Sequence, residues 1–82
     1  MSGGMRVVRL YSRPGCHLCD EARALILAEQ DRTAFVFEEV DVSTGEDLER
    51  EYGTRIPVVE VDGAEVAEIS LDPDEFAAVV RA

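Results

Sequence analysis

The feature that most constrains the fold is a change of hydrophobic period within the first half of the chain. The apolar, β-branched run Arg6–Tyr11 predicts a strand. After the turn residues Ser12–Gly15, apolar residues recur at helical spacing from Cys16 to about Gln30. A second apolar run, Ala34–Val42, predicts another strand, which we expect near the centre of a sheet. Strand, helix and strand in this order predict a right-handed βαβ unit with parallel strands.

The second half of the chain predicts a short helix, a hairpin and a final helix. Ser43 to Glu46 matches a capping box, with Ser43 as the N-cap of a helix that ends near Gly53. Asp62-Gly63 predicts a type I′ hairpin turn, and Asp72-Pro73 predicts a helix start. The order β-α-β-α-β-β-α predicts an α/β fold with a four-stranded mixed sheet and helices on its faces. The predicted inner faces of the three helices are Leu18, Ala22, Leu25 and Ile26; Leu48 and Tyr52; and Phe76, Val79 and Val80.

Length and charge limit the number of domains and the kinds of partner. A chain of 82 residues allows one domain, predicted at residues 5–82 after a flexible leader at residues 1–4. Its net charge of −10 predicts no nucleic acid and no anionic membrane as partner. No apolar run approaches the roughly 20 residues of a membrane span, and the first residues lack the pattern of a signal peptide. We therefore expect a cytoplasmic protein, and a monomer.

The chemistry is concentrated in Cys16-His17-Leu18-Cys19, where the first predicted helix begins. Unpaired amides and the helix dipole favour a thiolate at Cys16, and a thiolate is the species that attacks disulfides. Cys19, three residues on, lies on the same helical face and within disulfide reach. Arg13 adds positive potential. A tuning role for His17 stays open beside plain solvent exposure. The motif indicates a redox pair with an exposed, attacking Cys16 and an inward, resolving Cys19.

Other interpretations of these cysteines compete with the redox pair. Zinc usually takes four ligands, and the chain offers two Cys and one His, so a zinc site would need a carboxylate or a second copy of the chain. Two inert cysteines are a further alternative, although buried structural cysteines avoid such electropositive positions. We therefore predict no metal. Ile56-Pro57 at the start of a strand indicates either an edge strand or a cis bond. The acids Glu46, Asp47, Glu49 and Glu51 are interpreted as a solvated helix face without a role.

The chain resembles the thioredoxin superfamily, and most of all its small glutaredoxin-like proteins. The resemblance rests on the residues from Tyr11 to Cys19, on Arg55-Ile56-Pro57-Val58 and on the hairpin at Gly63. It implies a thioredoxin-like fold and a thiol–disulfide oxidoreductase that exchanges disulfides with protein or low-molecular-weight thiols. It implies Cys16 as nucleophile, Cys19 as resolving thiol and a cis Pro57 beside them. The Ile56 backbone would bind the substrate, and Arg13 matches a basic residue of many glutaredoxins.

The chain departs from glutaredoxins where those proteins bind glutathione. Ala67 and Glu68 stand at the place of a Gly-Gly pair, and Asp72 and Asp74 crowd the start of the next helix. These acids repel the glutathione anion. We therefore expect a disulfide-containing partner with a basic surface, with glutathione as the alternative co-substrate. An external reductant resets the pair, and no bound cofactor is needed. A non-catalytic thiol- or partner-binding module with the same fold is the alternative function.

Overall fold

The computed structural model describes residues 5–82, so the predicted leader at residues 1–4 lies outside the described residues. The element order β-α-β-α-β-β-α is the predicted one. In chain order the elements are β1 (Val7–Ser12), α1 (His17–Gln30), β2 (Val36–Asp41), a 3₁₀ turn (Val42–Thr44), α2 (Glu46–Tyr52), β3 (Val58–Val61), β4 (Ala64–Glu68) and α3 (Pro73–Arg81). Within residues 5–82, none of these helices has the length and apolar character to cross a bilayer.

The four strands form one mixed sheet in the order β2-β1-β3-β4. β1 and β2 are parallel, which confirms the βαβ unit, while β3 is antiparallel to both β1 and β4. The prediction of a central position for the second strand is wrong, because β2 lies at an edge and β1 and β3 are central. Phe35, just before β2, is buried, whereas Val36, Glu38 and Glu39 within it are exposed. The apolar run therefore covers one side of the core rather than filling the middle of the sheet.

The larger hydrophobic cluster lies on the sheet face that α1 and α3 cover. Phe35 and Phe76 meet there edge to face, with ring centroids 5.9 Å apart. The residues that α1 buries are Cys19, Ala22, Ile26 and Glu29. Leu18 is 45% exposed, so its place in the predicted stripe is wrong: the buried set starts one residue later, and helical geometry turns Leu18 to the side. The cluster comprises Val8, Leu10, Ala22, Ile26, Phe35, Val59, Val61, Phe76 and Val80.

The smaller cluster lies on the opposite face, where α2 covers only the end of the sheet at which β1 finishes. Buried Tyr11 and Val58 form its base, and Leu48 and Tyr52 of α2 pack on it, as predicted. The Tyr11 and Tyr52 rings stack with centroids 3.8 Å apart. The Tyr11 hydroxyl donates to buried Glu60 (3.2 Å), and both the Tyr11 hydroxyl and burial raise the pKa of Tyr52. Within the described residues, this short helix and the 3₁₀ turn, which contributes fully buried Val42, are the elements that cover the second face.

Turns and caps follow the sequence, with one exception. Asp62 (φ 53°) and Gly63 (φ 86°) form the predicted hairpin turn, and the Asp72 carboxylate caps α3 by accepting from the Asp74 and Glu75 amides. The capping box is wrong. The Asp41 carboxylate accepts from both the amide (2.9 Å) and the hydroxyl (2.6 Å) of Ser43, which holds Ser43 in the 3₁₀ turn. Gly45 therefore becomes the N-cap of α2, without a side-chain hydrogen bond.

Candidate active site

Cys16 lies at the N-cap of α1, at the end of a tight turn that follows β1. The Arg13 carbonyl accepts the Cys16 amide (3.2 Å), and Gly15 takes the left-handed conformation (φ 81°) that favours glycine. The Cys16 sulfur in turn accepts the amide of Cys19 at 3.1 Å. First-turn amides of a helix lack backbone partners, so this sulfur occupies a position where a thiolate is stabilised. The local geometry is the one that the sequence predicts for a reactive cysteine.

Cys16 and Cys19 are joined by a disulfide, with their Cα atoms 5.2 Å apart. This separation falls within the usual range for disulfides. Cys16 is partly exposed, whereas Cys19 is completely buried at 0% exposure. A substrate arriving from solvent therefore meets the Cys16 sulfur first. The roles of attacking thiol for Cys16 and resolving thiol for Cys19 stay predictions, and this asymmetry is what those roles require.

The basic side chains expected to add positive potential near Cys16 are each paired with a carboxylate. Arg13 forms a part-buried ion pair with Glu49 of α2. His17 is 86% exposed, and its Nε2 lies 3.0 Å from a carboxylate oxygen of Glu21. The positive field at Cys16 is therefore weaker than Arg13 and His17 alone predict.

Glu49 is the residue near this site that the sequence analysis did not single out. Its three acidic neighbours Glu46, Asp47 and Glu51 are exposed, as expected of a solvated helix face. Glu49, in contrast, is half-buried and paired with Arg13. Its carboxylate reaches Arg13 across 36 positions of sequence. No local pattern links two such distant residues, and the contact arises only when α2 packs beside the end of β1. Next to this pair, Arg23 binds both Asp20 (2.8 Å) and Glu39. Arg23 thereby lowers the pKa of the Glu39 carboxyl.

Ile56-Pro57 lies at the same end of the sheet as the cysteines. The Ile56–Pro57 bond is cis and β3 is central, which confirms the cis alternative and excludes the edge strand. Tyr11 pairs with Val58, so the Cys16 turn and Pro57 leave the sheet next to each other. Pro57 is fully buried, and its carbonyl accepts the Ile69 amide (2.8 Å). In the loop and turn bonds of residues 5–82, neither the amide nor the carbonyl of Ile56 is used, and its role in binding a substrate stays a prediction.

The region expected to replace a glutathione site is a groove of about 430 Å³ between β4 and α3. Ala67 and Glu68 both lie within β4, and the residue with left-handed backbone is Ile69 (φ 71°). The position that favours glycine is therefore Ile69 rather than Ala67 or Glu68. The groove is floored by Val66, Ala67, Leu71, Phe76 and Val79 and rimmed by Glu68, Asp72 and Glu75. Asp74 follows Asp72 in the first turn of α3, so the predicted crowding of acids is present.

Within residues 5–82, no three His, Cys, Asp or Glu side chains are grouped so that they could hold a metal ion. The sequence expectation of no metal remains a prediction, as does that of no bound cofactor.

A four-stranded mixed sheet of this order, with a Cys-x-x-Cys pair at the start of α1 and a cis proline before β3, defines a thioredoxin-like fold. The glutaredoxin-like domain family (DUF836) matches residues 7–81, nearly the whole chain. The chain therefore belongs to this glutaredoxin-like family of the thioredoxin superfamily, and both the fold and the resemblance are confirmed. The fold and the dithiol pair support a redox role and fit an oxidoreductase in general.

Solved structures extend this comparison. Protein Ne2328 from Nitrosomonas europaea is 30% identical, with a TM-score of 0.81 over 98% of this chain and 96% of that one. Protein XcR50 from X. campestris is 33% identical, with a TM-score of 0.73 over 90% of this chain and 95% of that one. A mutant thioredoxin from Halobacterium salinarum, at 20% identity, shares the fold, with a TM-score of 0.70 over 95% of this chain and 74% of that one. Among curated proteins, none matches the chain.

Proposed function

We propose that this protein is a dithiol–disulfide oxidoreductase that uses Cys16 and Cys19 as its redox pair. The observation that supports this most is the placement of the two sulfurs. Cys16 is partly exposed, and its sulfur accepts a hydrogen bond from a first-turn amide of α1, while Cys19, to which it is bonded, is buried. The Cys16 sulfur is the one that a substrate from solvent can reach, and the Cys19 sulfur is placed to exchange with Cys16 inside the protein.

In the proposed cycle, the Cys16 thiolate attacks one sulfur of a substrate disulfide and forms a mixed disulfide. The other substrate sulfur leaves as a thiolate and takes up a proton. Cys19, once deprotonated, attacks the Cys16 sulfur and expels the second substrate thiol. The substrate gains two electrons and two protons, and the protein keeps the Cys16–Cys19 disulfide. An external dithiol or a pair of monothiols returns it to the reduced form.

Two features of the chain support this cycle. The α1 amide that the Cys16 sulfur accepts stabilises negative charge on that sulfur, which makes Cys16 both a better nucleophile at neutral pH and a better leaving group. Ile56 can offer its amide and carbonyl to an extended substrate segment, next to the buried face of Pro57. The substrates we propose are disulfide-containing proteins or low-molecular-weight disulfides. We further propose action as a monomer in a reducing, cytoplasmic setting, where a dithiol of this kind is catalytic rather than structural.

The test uses reduced protein, a neutral disulfide such as bis(2-hydroxyethyl) disulfide, and intact-mass detection after acid quenching. Wild type should lose two hydrogens and release two thiols for each chain. Cys19→Ser should stop at a mixed disulfide on Cys16, and Cys16→Ser should not react. Equal rates for Cys16→Ser and wild type would show that the proposal is wrong.

A non-catalytic thiol- or partner-binding module is the second candidate, and the pairing of Arg13 and His17 with carboxylates favours it. Without a free cation nearby to stabilise the thiolate, a reduced Cys16 would have a pKa closer to that of an ordinary cysteine thiol. The pH dependence of iodoacetamide alkylation in Cys19→Ser separates the two functions. A Cys16 pKa near the free value of about 8.5 supports the module, and a clearly lower one supports the enzyme.

A further inference from the structure

The Arg13–Glu49 ion pair lies at the turn that presents Cys16. The Arg13 carbonyl accepts the Cys16 amide, which closes a four-residue turn. Such a turn brings its first and last Cα atoms within about 7 Å. Arg13 therefore belongs to the same tight turn as Cys16, and its charge contributes to the field that a charged group on a disulfide at Cys16 meets.

Glu49 has a charged partner on one side and room left by a glycine on the other. Arg13 binds its carboxylate, and both side chains are half-buried, with exposures of 39% and 44%. On the other side, Gly53 supplies space, because a Cβ there would collide with the Glu49 carboxylate and carbonyl. Gly53 has an ordinary helical φ of −56°, so the glycine is needed for room rather than for conformational freedom. The pairing is thus part of how α2 packs at the end of β1, next to the turn that leads to Cys16.

The other cations near this end of the sheet are also paired. His17 faces Glu21, and Arg23 faces Asp20 and Glu39. Arg55, which follows α2, donates to Glu65 (2.8 Å) and Glu68 (3.1 Å). No cation beside the dithiol within residues 5–82 is left as an anchor for a carboxylate, and the chain as a whole carries a charge of −10.

We propose that Glu49 determines the charge selectivity of the dithiol by neutralising Arg13. The site then takes cationic and neutral disulfides in preference to anionic ones such as glutathione disulfide. This inference rests on the proposed function and narrows its substrate class. Glu49 acts through Arg13 and through the field at Cys16 and does not itself enter the exchange, so it is a specificity residue and not a catalytic one.

The test compares three disulfides that react by the same chemistry and differ in charge. They are glutathione disulfide (anionic), bis(2-hydroxyethyl) disulfide (neutral) and cystamine (cationic). Second-order rate constants for reduced wild type and variants are measured at low ionic strength. For each protein, the rate constant with glutathione disulfide or cystamine is divided by the rate constant with bis(2-hydroxyethyl) disulfide. This ratio for a variant is then compared with the same ratio for wild type. The acidity of the leaving thiols and any change in the reactivity of Cys16 then cancel.

In Glu49→Gln we expect the glutathione ratio to rise about two- to fivefold and the cystamine ratio to fall to a similar degree, which is the size of effect that one unpaired unit charge roughly 4–10 Å from a charged substrate group produces in water. Arg13→Gln, which exposes the Glu49 charge, should shift both ratios the other way. The double variant should return close to wild type, because the two effects belong to one pair. Added salt should shrink these differences.

Asp47→Asn is the matched control, since it removes one charge from the same helix at a side chain that is 95% exposed. Its ratios should equal those of wild type. Glu49→Gln ratios no different from those of Asp47→Asn, with Arg13→Gln also unchanged, would overturn the selectivity. In that case wild type would still reduce all three disulfides. Failure of wild type to reduce any of them would instead overturn the proposed function.

Discussion

The two faces of the sheet differ in what they contribute. The face beneath α1 and α3 holds the large apolar cluster, including fully buried Val8, Leu10 and Ile26. The other face has the short α2 and the 3₁₀ turn at one end, and it also carries polar pairs such as Arg9–Glu38. The cysteines belong to the first face and Glu49 to the second, and they meet through Arg13. Stability therefore depends mainly on one face, and the charge around the dithiol depends on the other.

The largest expected effect is on the first face. Phe76 is 2% exposed and packs edge to face on Phe35. Phe76→Ala should lower the free energy of unfolding by about 3–5 kcal/mol, because it removes buried surface and leaves a cavity. Urea unfolding followed by circular dichroism measures this. A loss below about 1 kcal/mol would contradict the assignment of this face as the main core.

A smaller loss is expected on the second face. Tyr52 stacks on Tyr11, and the Arg55 guanidinium lies 5.5 Å from its ring centroid. Tyr52→Ala should cost about 1–2 kcal/mol, since aromatic pairs of this kind contribute about 0.5–1.5 kcal/mol beyond area burial. Tyr52→Phe, the matched control, keeps the stack and should unfold close to wild type. If Tyr52→Ala costs as much as Phe76→Ala, the two faces do not differ as described.

The link from β4 to α3, which closes the first face, contains a local strain. Ile69 has a left-handed φ of 71° and is 43% exposed. Left-handed backbone costs a β-branched residue roughly 1–2 kcal/mol, so Ile69→Gly should raise stability by up to about 1 kcal/mol after the lost side-chain contacts are counted. Gly63→Ala, at φ 86° in the hairpin, should shift stability by a similar amount in the opposite direction. Thermal unfolding of both variants shows whether each substitution raises or lowers stability. An Ile69→Gly variant less stable than wild type would refute the strain.

The smallest effect is a pH dependence on the first face. Glu29 is 7% exposed and accepts from Arg81 (2.8 Å) and Thr33 (2.6 Å), and these bonds lower its pKa below the ordinary 4.5. A lowered folded-state pKa means that stability is fully present above about pH 4.5 and is lost as the pH falls through the folded value. Glu29→Gln should unfold at a lower temperature near pH 7 and converge with wild type in acid. A constant difference at every pH would exclude this linkage.

Sequence was sufficient wherever a neighbouring residue decides the structure. Asp62-Gly63 fixes the hairpin, and Asp72 caps α3, because each requirement is met within a few positions. The Cys16 turn belongs to the same group. From these local signals the sequence analysis predicted both the element order of the fold and the position of the dithiol.

Sequence failed where two suitable groups compete or where the partner is distant. Asp41 takes the Ser43 amide that a capping box needs at Glu46. The edge position of β2 depends on which strands flank β1, and no pattern within Val36–Asp41 contains that information. Glu49 reaches Arg13 only after the second face has assembled. The first outcome is a competition between two local hydrogen bonds, and the other two depend on tertiary contacts, which single-sequence patterns do not encode.

The position of β2 and β4 at the two edges of the sheet has a consequence for solubility. An open strand edge is a template on which a second copy can add, and such addition leads to aggregation. Here β2 bears Glu38 and Glu39 and β4 bears Glu65 and Glu68, and β4 also contains an irregularity opposite Val59 and Glu60. Arg23 and Arg55 lower the pKa of Glu39 and Glu65. Both edges therefore keep ionised side chains, most of them in ion pairs, in mildly acidic solution. Stacking a second copy along either border would bury these charges at a desolvation cost, which opposes growth into fibres.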